Sequence, residues 1–114
     1  MTNFFDQSFL ASLARGPKIA CFGSRETPAP ILSVMTQLAW VLVTHGAYLA
    51  SGHADGADWA FEQGACQVRP EAFTVCLPWA GYNRQLPLNP RSPRKILAEL
   101  PSSAKASYLA QAAG

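Results

Sequence analysis

Ala47-Tyr48-Leu49-Ala50, followed at once by Ser51-Gly52-His53-Ala54-Asp55-Gly56-Ala57-Asp58, decides the fold. A short, mostly apolar run closed by breaker residues reads as a buried strand. The residues after it read as a loop entering a helix, with Asp55 as the cap and the helix running to about Gln67. Trp59, Ala60, Phe61 and Ala65 are its expected packing residues, and Gly64 is expected to weaken its interior. Upstream, Lys18-Ile19-Ala20-Cys21-Phe22 stops at Gly23-Ser24-Arg25; downstream, Phe73-Thr74-Val75-Cys76-Leu77 stops at Pro78. Both repeat the strand pattern. Between the first two runs, Ile31, Val34, Met35, Leu38, Val41 and Leu42 recur at three- and four-residue spacing. That predicts a helix over about residues 30–45 with those side chains on one buried face. Gly46 suits its end, because glycine accepts the left-handed conformation that follows a last helical turn. Strand and helix alternating through short connections predict an α/β fold, a small Rossmann-like parallel sheet of at least three strands with flanking helices.

The flanks add less. Phe4, Phe5, Phe9, Leu10 and Leu13 predict a short amphipathic helix within residues 1–17, packed on the sheet. Residues 80–92 are rich in Pro, Asn and Arg and read as a loop. Residues 96–100 and 104–112 read as two short helices separated by Pro101, and no second half of the sheet is expected. The chain is read as one domain over residues 1–114: an N-terminal helix over 1–17, a sheet core over 18–83 and a basic helical tail over 84–114.

Composition narrows the function classes. At 114 residues and 49% hydrophobic, the chain is one domain. It can bury about two thirds of its surface without help from disulfides or a structural metal. Only 14% of residues are charged, which argues against a disordered chain or a polybasic arm. The net charge is +2, but residues 1–79 carry four basic and six acidic groups while residues 80–114 carry five basic and one acidic. The most apolar stretch, residues 31–50, is interrupted by Gln37, His45 and Gly46, so no membrane span is expected. Asp6 precedes any Lys or Arg, unlike the basic start of a signal peptide. The three cysteines show no CxxC spacing, and Cys21 and Cys76 fall inside apolar runs. Reduced, buried thiols and a cytoplasmic location are therefore expected. His45, His53 and the cysteines lack ligand spacing, so no metal and no other cofactor is expected.

Ligands of open parallel sheets bind beyond the carboxyl ends of the strands. All three runs end in unusual residues: Gly23-Ser24-Arg25, the Ser51–Asp58 segment, and Pro78-Trp79-Ala80-Gly81-Tyr82-Asn83. The second brings glycines and backbone N–H groups to a helix start, an arrangement that holds phosphate. Arg25 supplies a bidentate cation for a phosphate or carboxylate. Trp79 and Tyr82 supply stacking surfaces for a base, and Asn83 a hydrogen bond to a base edge or ribose hydroxyl. The candidate ligand-binding set is Gly23, Ser24, Arg25, Ser51, Gly52, His53, Asp55, Gly56, Asp58, Trp79, Tyr82 and Asn83. The plainer alternative is that the glycines only make turns, Arg25 pairs with an Asp, and the aromatics cap the core. Any one segment alone favours that alternative; the three together favour a site. No lysine follows the second glycine as in a phosphate-binding P-loop, and no GxGxxG is present, which argues against ATP hydrolysis and ordinary NAD chemistry. Asp55 and Asp58 are candidates for a carboxylate pair and His53 for a titrating assistant, against a helix cap and a solvated loop histidine. No catalytic residue is assigned.

The same segments, Gly-Ser-Arg, then Ser-Gly-His-Ala-Asp-Gly-Ala-Asp, then Leu-Pro-Trp-x-Gly-Tyr-Asn, resemble the SLOG superfamily. That group includes the Rossmann-like domain of DNA-processing protein A, the Lonely Guy phosphoribohydrolases and small phage-type nucleotide-binding proteins, which this chain resembles most. The resemblance spans about residues 18–83. It implies a nucleotide or nucleotide-derived ligand over Gly23, Ser24, Arg25, Ser51, Gly52, Asp55, Gly56, Asp58 and Trp79. Family members continue into a Gly-Gly-x-Gly-Thr-like turn, with a nearby Glu in the phosphoribohydrolases; this sequence lacks that turn, and Glu99 matches no family position. The chain therefore reads as a shortened member, a binder or sensor rather than a complete hydrolase. A shortened sheet also leaves a face or edge that tail helices, a second copy in a homodimer, or a foreign protein would cover. The alternative function is accordingly a phage or mobile-element inhibitor of a host defence protein, of anti-CRISPR type, with a vestigial pocket. Third is single-stranded DNA binding along Arg84, Arg91, Arg94, Lys95 and Lys105 with Tyr82 and Tyr108. A solvated helical surface explains those residues more simply.

Overall fold

In the computed structural model, residues 6–100 are described. The expected helix over 104–112, with Lys105 and Tyr108, and the residues Phe4 and Phe5 lie outside them. The elements are α1 (Gln7–Leu13), β1 (Lys18–Ala20), α2 (Ala29–Thr44), β2 (Tyr48–Ser51), α3 (Ala57–Val68), β3 (Phe73–Leu77) and β4 (Arg94–Ile96), with 3-10 turns at Pro70–Ala72 and Leu97–Glu99. The four strands form one parallel sheet in the order β1-β2-β3-β4. This is the small Rossmann-like α/β fold expected. No helix among the described residues is long and apolar enough to cross a membrane.

The fourth strand is not anticipated in the sequence reading, and of the short helix expected over 96–100 only a 3-10 turn at Leu97–Glu99 forms, directly after it. Arg94–Ile96 pairs with Val75–Leu77, and the Val75 N–H donates to the Pro93 carbonyl at 2.9 Å. Without it, β3 would present a row of unpaired backbone groups. A three-residue strand is too short to carry a periodicity, so only the pairing partner identifies it. Over the described residues 84–100 the expected basic helical tail is instead a loop, β4 and a 3-10 turn. Arg94 and Lys95 are neighbours in a strand and point to opposite sides of the sheet, while Arg91 Nε donates to Glu71 at 2.9 Å.

The second correction concerns α2. Ala39, Leu42 and Val43 are buried, with Met35 and Leu38 packed beside them. Ile31 and Val34, expected inside, are 47% and 56% exposed. This helix is apolar almost all round, so spacing alone does not show which side faces the core. Its neighbour decides. A Cβ on Gly64 of α3 would lie 2.0 Å from the Thr36 carbonyl oxygen and 3.1 Å from the Ala39 Cβ, so the two helices touch at that glycine. The Thr36 hydroxyl also lies 3.1 Å from the Ala60 carbonyl of α3. Gly64 is thus the crossing point of the helix pair, where it was expected only as a weakness.

Glycine 46 ends α2 as expected. Its φ is +114°, the Ala47 N–H donates to the Leu42 carbonyl at 3.0 Å, and the Gly46 N–H to that of Val43 at 3.1 Å. This is the two-bond C-terminal cap that glycine favours. A Cβ there would also sit 2.7 Å from the Leu13 carbonyl oxygen. Gly46→Ala is expected to lower unfolding stability by about 2 kcal/mol through the strained backbone and this contact. A urea-unfolding midpoint unchanged from the parent would overturn that assignment.

Right-handed crossovers between strands in sequential order place α2 and α3 on the same face of the sheet. Their packing on each other agrees. The core lies between that face, where Leu49, Phe73, Val75 and Leu77 are 2% exposed or less, and the two helices.

Candidate functional site

Arg25, Asp55, Trp79, Tyr82 and Asn83 line a cleft of about 240 Å³ beyond the carboxyl ends of the first three strands. They arrive from all three predicted loops. Arg25 Nη2 donates to the Tyr82 hydroxyl at 2.9 Å. Asn83, in the left-handed region at φ +52°, donates through Nδ2 to Asp55 Oδ1 and to the His53 carbonyl, each at 3.0 Å. The Trp79 and Tyr82 rings meet edge to face, 5.3 Å apart at 90°, and Trp79 remains 56% exposed. The floor is therefore a hydrogen-bonded lattice, with an indole, a guanidinium and a carboxylate along one opening.

The remaining predicted residues have other positions. A Cβ on Gly23 would lie 2.7 Å from the Ala57 Cβ, and one on Gly56 (φ +78°) 2.5 Å from the Arg25 carbonyl oxygen. These glycines let the Gly-Ser-Arg loop lie against the start of α3. The Ser24 carbonyl accepts the Ala57 N–H at 3.1 Å, and the Ser24 hydroxyl accepts the Glu26 N–H at 3.0 Å. The first amide of α3 is thereby taken by the protein itself and is not offered to a phosphate. Gly56 occupies the cap position and no side chain caps α3, so Asp55 is not the cap. Its carboxylate turns to Asn83 instead.

Ser51 and Asp58 are 5% and 7% exposed, and Ser51 Oγ and Asp58 Oδ1 have no hydrogen-bond partner. Gly52 makes room for that carboxylate, since a Cβ there would stand 3.0 Å from Asp58 Oδ2. Asp55 is exposed in the cleft and Asp58 buried in the first turn of α3, so they do not share one environment as a catalytic carboxylate pair would. An acid in the first turn favours the helix dipole.

His53 departs furthest from expectation. It is fully buried where a solvated or ligand-facing loop histidine was expected. Its Nδ1 lies 2.8 Å from Glu62 Oε1, its Nε2 3.0 Å from the Leu86 carbonyl, and the Trp59 ring meets it edge-on at 5.8 Å. A carbonyl only accepts, so Nε2 carries a proton, and a second proton is shared between Nδ1 and the carboxyl group. Glu62 is 1% exposed, and burial raises its pKa above the ordinary 4.5, with the His53 hydrogen bond pulling the other way. The pair ties the 83–92 loop to α3.

Glu62 carries no weight in the sequence reading. The available signal is its spacing: Asp58, Phe61, Glu62 and Ala65 recur at three and four residues on the buried side of α3. A second cavity, of about 360 Å³, lies between α3 and the 87–89 loop and includes Trp59, Glu62 and Cys66 in its lining. Burial pushes the Cys21 thiol up to about 11 and raises that of Cys66 as well, so neither is a thiolate near neutral pH. Among the described residues no group of three or more His, Cys, Asp or Glu is placed to hold a metal ion.

Fold and cleft together define a small parallel α/β protein with an aromatic and arginine-lined opening at its strand ends. Comparison with protein-family profiles, with curated proteins and with solved structures finds no match.

Proposed function

We propose that the cleft binds a nucleotide or nucleotide derivative and that the protein is a nucleotide binder or sensor of SLOG type. The meeting of Arg25, Asp55, Trp79, Tyr82 and Asn83 from three separate strand ends in one opening carries this proposal. The base stacks on the exposed face of Trp79. The phosphate sits at the Arg25 end, away from Asp55, and Asp55 accepts from the ribose hydroxyls. A volume of about 240 Å³ is below the roughly 300–1,000 Å³ of ordinary ligand pockets, which favours a mononucleotide over a dinucleotide. Binding is favoured over hydrolysis because Asp55 is engaged by Asn83 and both ring nitrogens of His53 are engaged by Glu62 and Leu86. Among the described residues no histidine or free acid lines the cleft unengaged to move a proton.

Thermal unfolding of the full chain against AMP, cyclic AMP, ADP-ribose and NAD tests this. A ligand at about 100 times its Kd adds about 2.7 kcal/mol of stability. Trp79→Ala and Arg25→Ala are each expected to weaken binding at least tenfold while leaving the ligand-free midpoint unchanged, because both side chains are exposed. Equal affinity in both variants would overturn the site. A panel without any shift would overturn the nucleotide reading.

A further inference from the structure

We propose that the cavity between α3 and the 87–89 loop is a second binding site, taking an uncharged flat heterocycle with amide-type donors and acceptors, such as a free nucleobase. Trp59, Glu62, Gln63, Cys66 and Gln67 recur at three- and four-residue spacing, so one stripe of α3 supplies one wall. The loop supplies the other, with Leu88 and Asn89 in the lining. This loop is pinned at both ends. The Leu86 carbonyl lies 3.0 Å from His53 Nε2. The Ser92 hydroxyl donates to the Pro70 carbonyl at 2.9 Å and lies 3.5 Å from Cys66 Sγ. Pro87 and Pro90, between the pins, each fix a φ angle. These restraints hold an arch over α3, and the space beneath it is part of the fold. Its volume of about 360 Å³ exceeds that of the cleft and falls within the roughly 300–1,000 Å³ of ordinary ligand pockets.

Charge and hydrogen bonding narrow the ligand. Among the described residues no Lys, Arg or His lines this cavity, so a phosphate or carboxylate would find no counter-ion there. Arg91, two residues past Asn89, is held by Glu71, to which its Nε donates at 2.9 Å. The acid in the lining, Glu62, shares a proton with His53, and the pair has no net charge to offer a cation. What remains is polar but uncharged. Gln63 and Gln67, both exposed, each present a carboxamide that donates and accepts. Asn89 Oδ1 accepts the Arg91 N–H at 2.9 Å, which leaves Nδ2 to donate. The Trp59 ring and Leu88 add apolar surface for a flat ring. An aromatic plane bordered by carboxamides matches a heterocycle with an amide-like edge. A purely apolar ring would leave the carboxamides unanswered. No residue lines both this cavity and the cleft. Nucleotide binding at the cleft is not an input to this proposal, and either can fail without the other.

Equilibrium dialysis of the full chain against adenine, uracil and nicotinamide tests it. The exposed Trp79 ring also offers a stacking surface, so the measurement is made in Arg25→Ala with Trp79→Ala, which removes the cleft. At least one of the three heterocycles is expected to bind that double variant. Its 5′-monophosphate is expected to bind the same variant at least tenfold more weakly, for want of a counter-ion. Adding Gln63→Ala and Gln67→Ala should weaken binding at least tenfold with the thermal midpoint kept, because both side chains are exposed. Three results would overturn the proposal. Failure of all three heterocycles to bind the cleft variant up to their solubility limits would leave the cavity without the proposed ligand. Affinity unchanged by the two glutamine substitutions would place the ligand elsewhere. A monophosphate bound as tightly as its base would remove the requirement for an uncharged ligand.

Discussion

Gly64→Ala lowers the unfolding free energy by about 3 kcal/mol, as overpacking at a site that cannot yield commonly does. The sign is the informative part. In an isolated helix the same change is favourable by about 1 kcal/mol, since alanine gives up less backbone entropy than glycine. Here the added methyl carbon would stand 2.0 Å from the Thr36 carbonyl oxygen and 2.9 Å from its carbon. Both are backbone atoms and cannot rotate aside. The helices must separate, which breaks the contact between the Thr36 hydroxyl and the Ala60 carbonyl and loosens Ala39, now 0% exposed. In a domain of this size each kcal/mol moves the melting temperature by about 4–8 °C, so a fall of more than 10 °C is expected. Calorimetry of the parent and variant decides it; a raised midpoint would show that α2 and α3 do not cross at this residue.

Glu62→Ala has a comparable effect, about 3–5 kcal/mol, the usual cost of removing one partner from a buried pair. It leaves the fully buried His53 Nδ1 without its 2.8 Å partner. Glu62→Gln keeps an amide in hydrogen-bond reach of that nitrogen and should cost far less. The pair also has a pH signature whose sign follows from the raised pKa of Glu62. The folded protein holds a proton that an unfolded glutamate releases above its ordinary value of 4.5. That contribution is complete below this value and is lost as pH rises through the folded-state pKa. Urea titrations at a series of pH values should therefore show the stability of the parent falling relative to Glu62→Gln as pH increases. Parallel curves would remove Glu62 as a proton-holding group.

Much of the fold is legible in local pattern. β3 occupies the residues 73–77 anticipated, and α2 and α3 begin and end within one or two residues of expectation. Short apolar runs closed by breakers, and a terminal glycine with positive φ, are local signals that depend on neighbours along the chain. β4 is not legible in that way. Arg94-Lys95-Ile96 has no strand signature of its own, and becomes a strand because β3 offers it an unpaired edge. The side of α2 that faces the core was equally hidden, because Ile31 and Val34 are as apolar as Leu42 and Val43.

The candidate site divides along the same line. The strand-end loops are legible as candidates because parallel connectivity brings those ends to one edge of the sheet. They include Arg25, Asp55, Trp79, Tyr82 and Asn83, which share the cleft. Which glycines serve close packing, and which residues reach the opening, depends on how the loops meet in the folded chain. Gly23 and Gly56 are needed because two loops approach within van der Waals contact, and loop-to-loop distance is not written in either loop. His53 left the site for the interior because Glu62, nine residues on, and the Leu86 carbonyl complete its hydrogen bonds there. Burying an imidazole is favourable only when both nitrogens find partners, and those partners come from an element and a loop that meet only once the chain has folded.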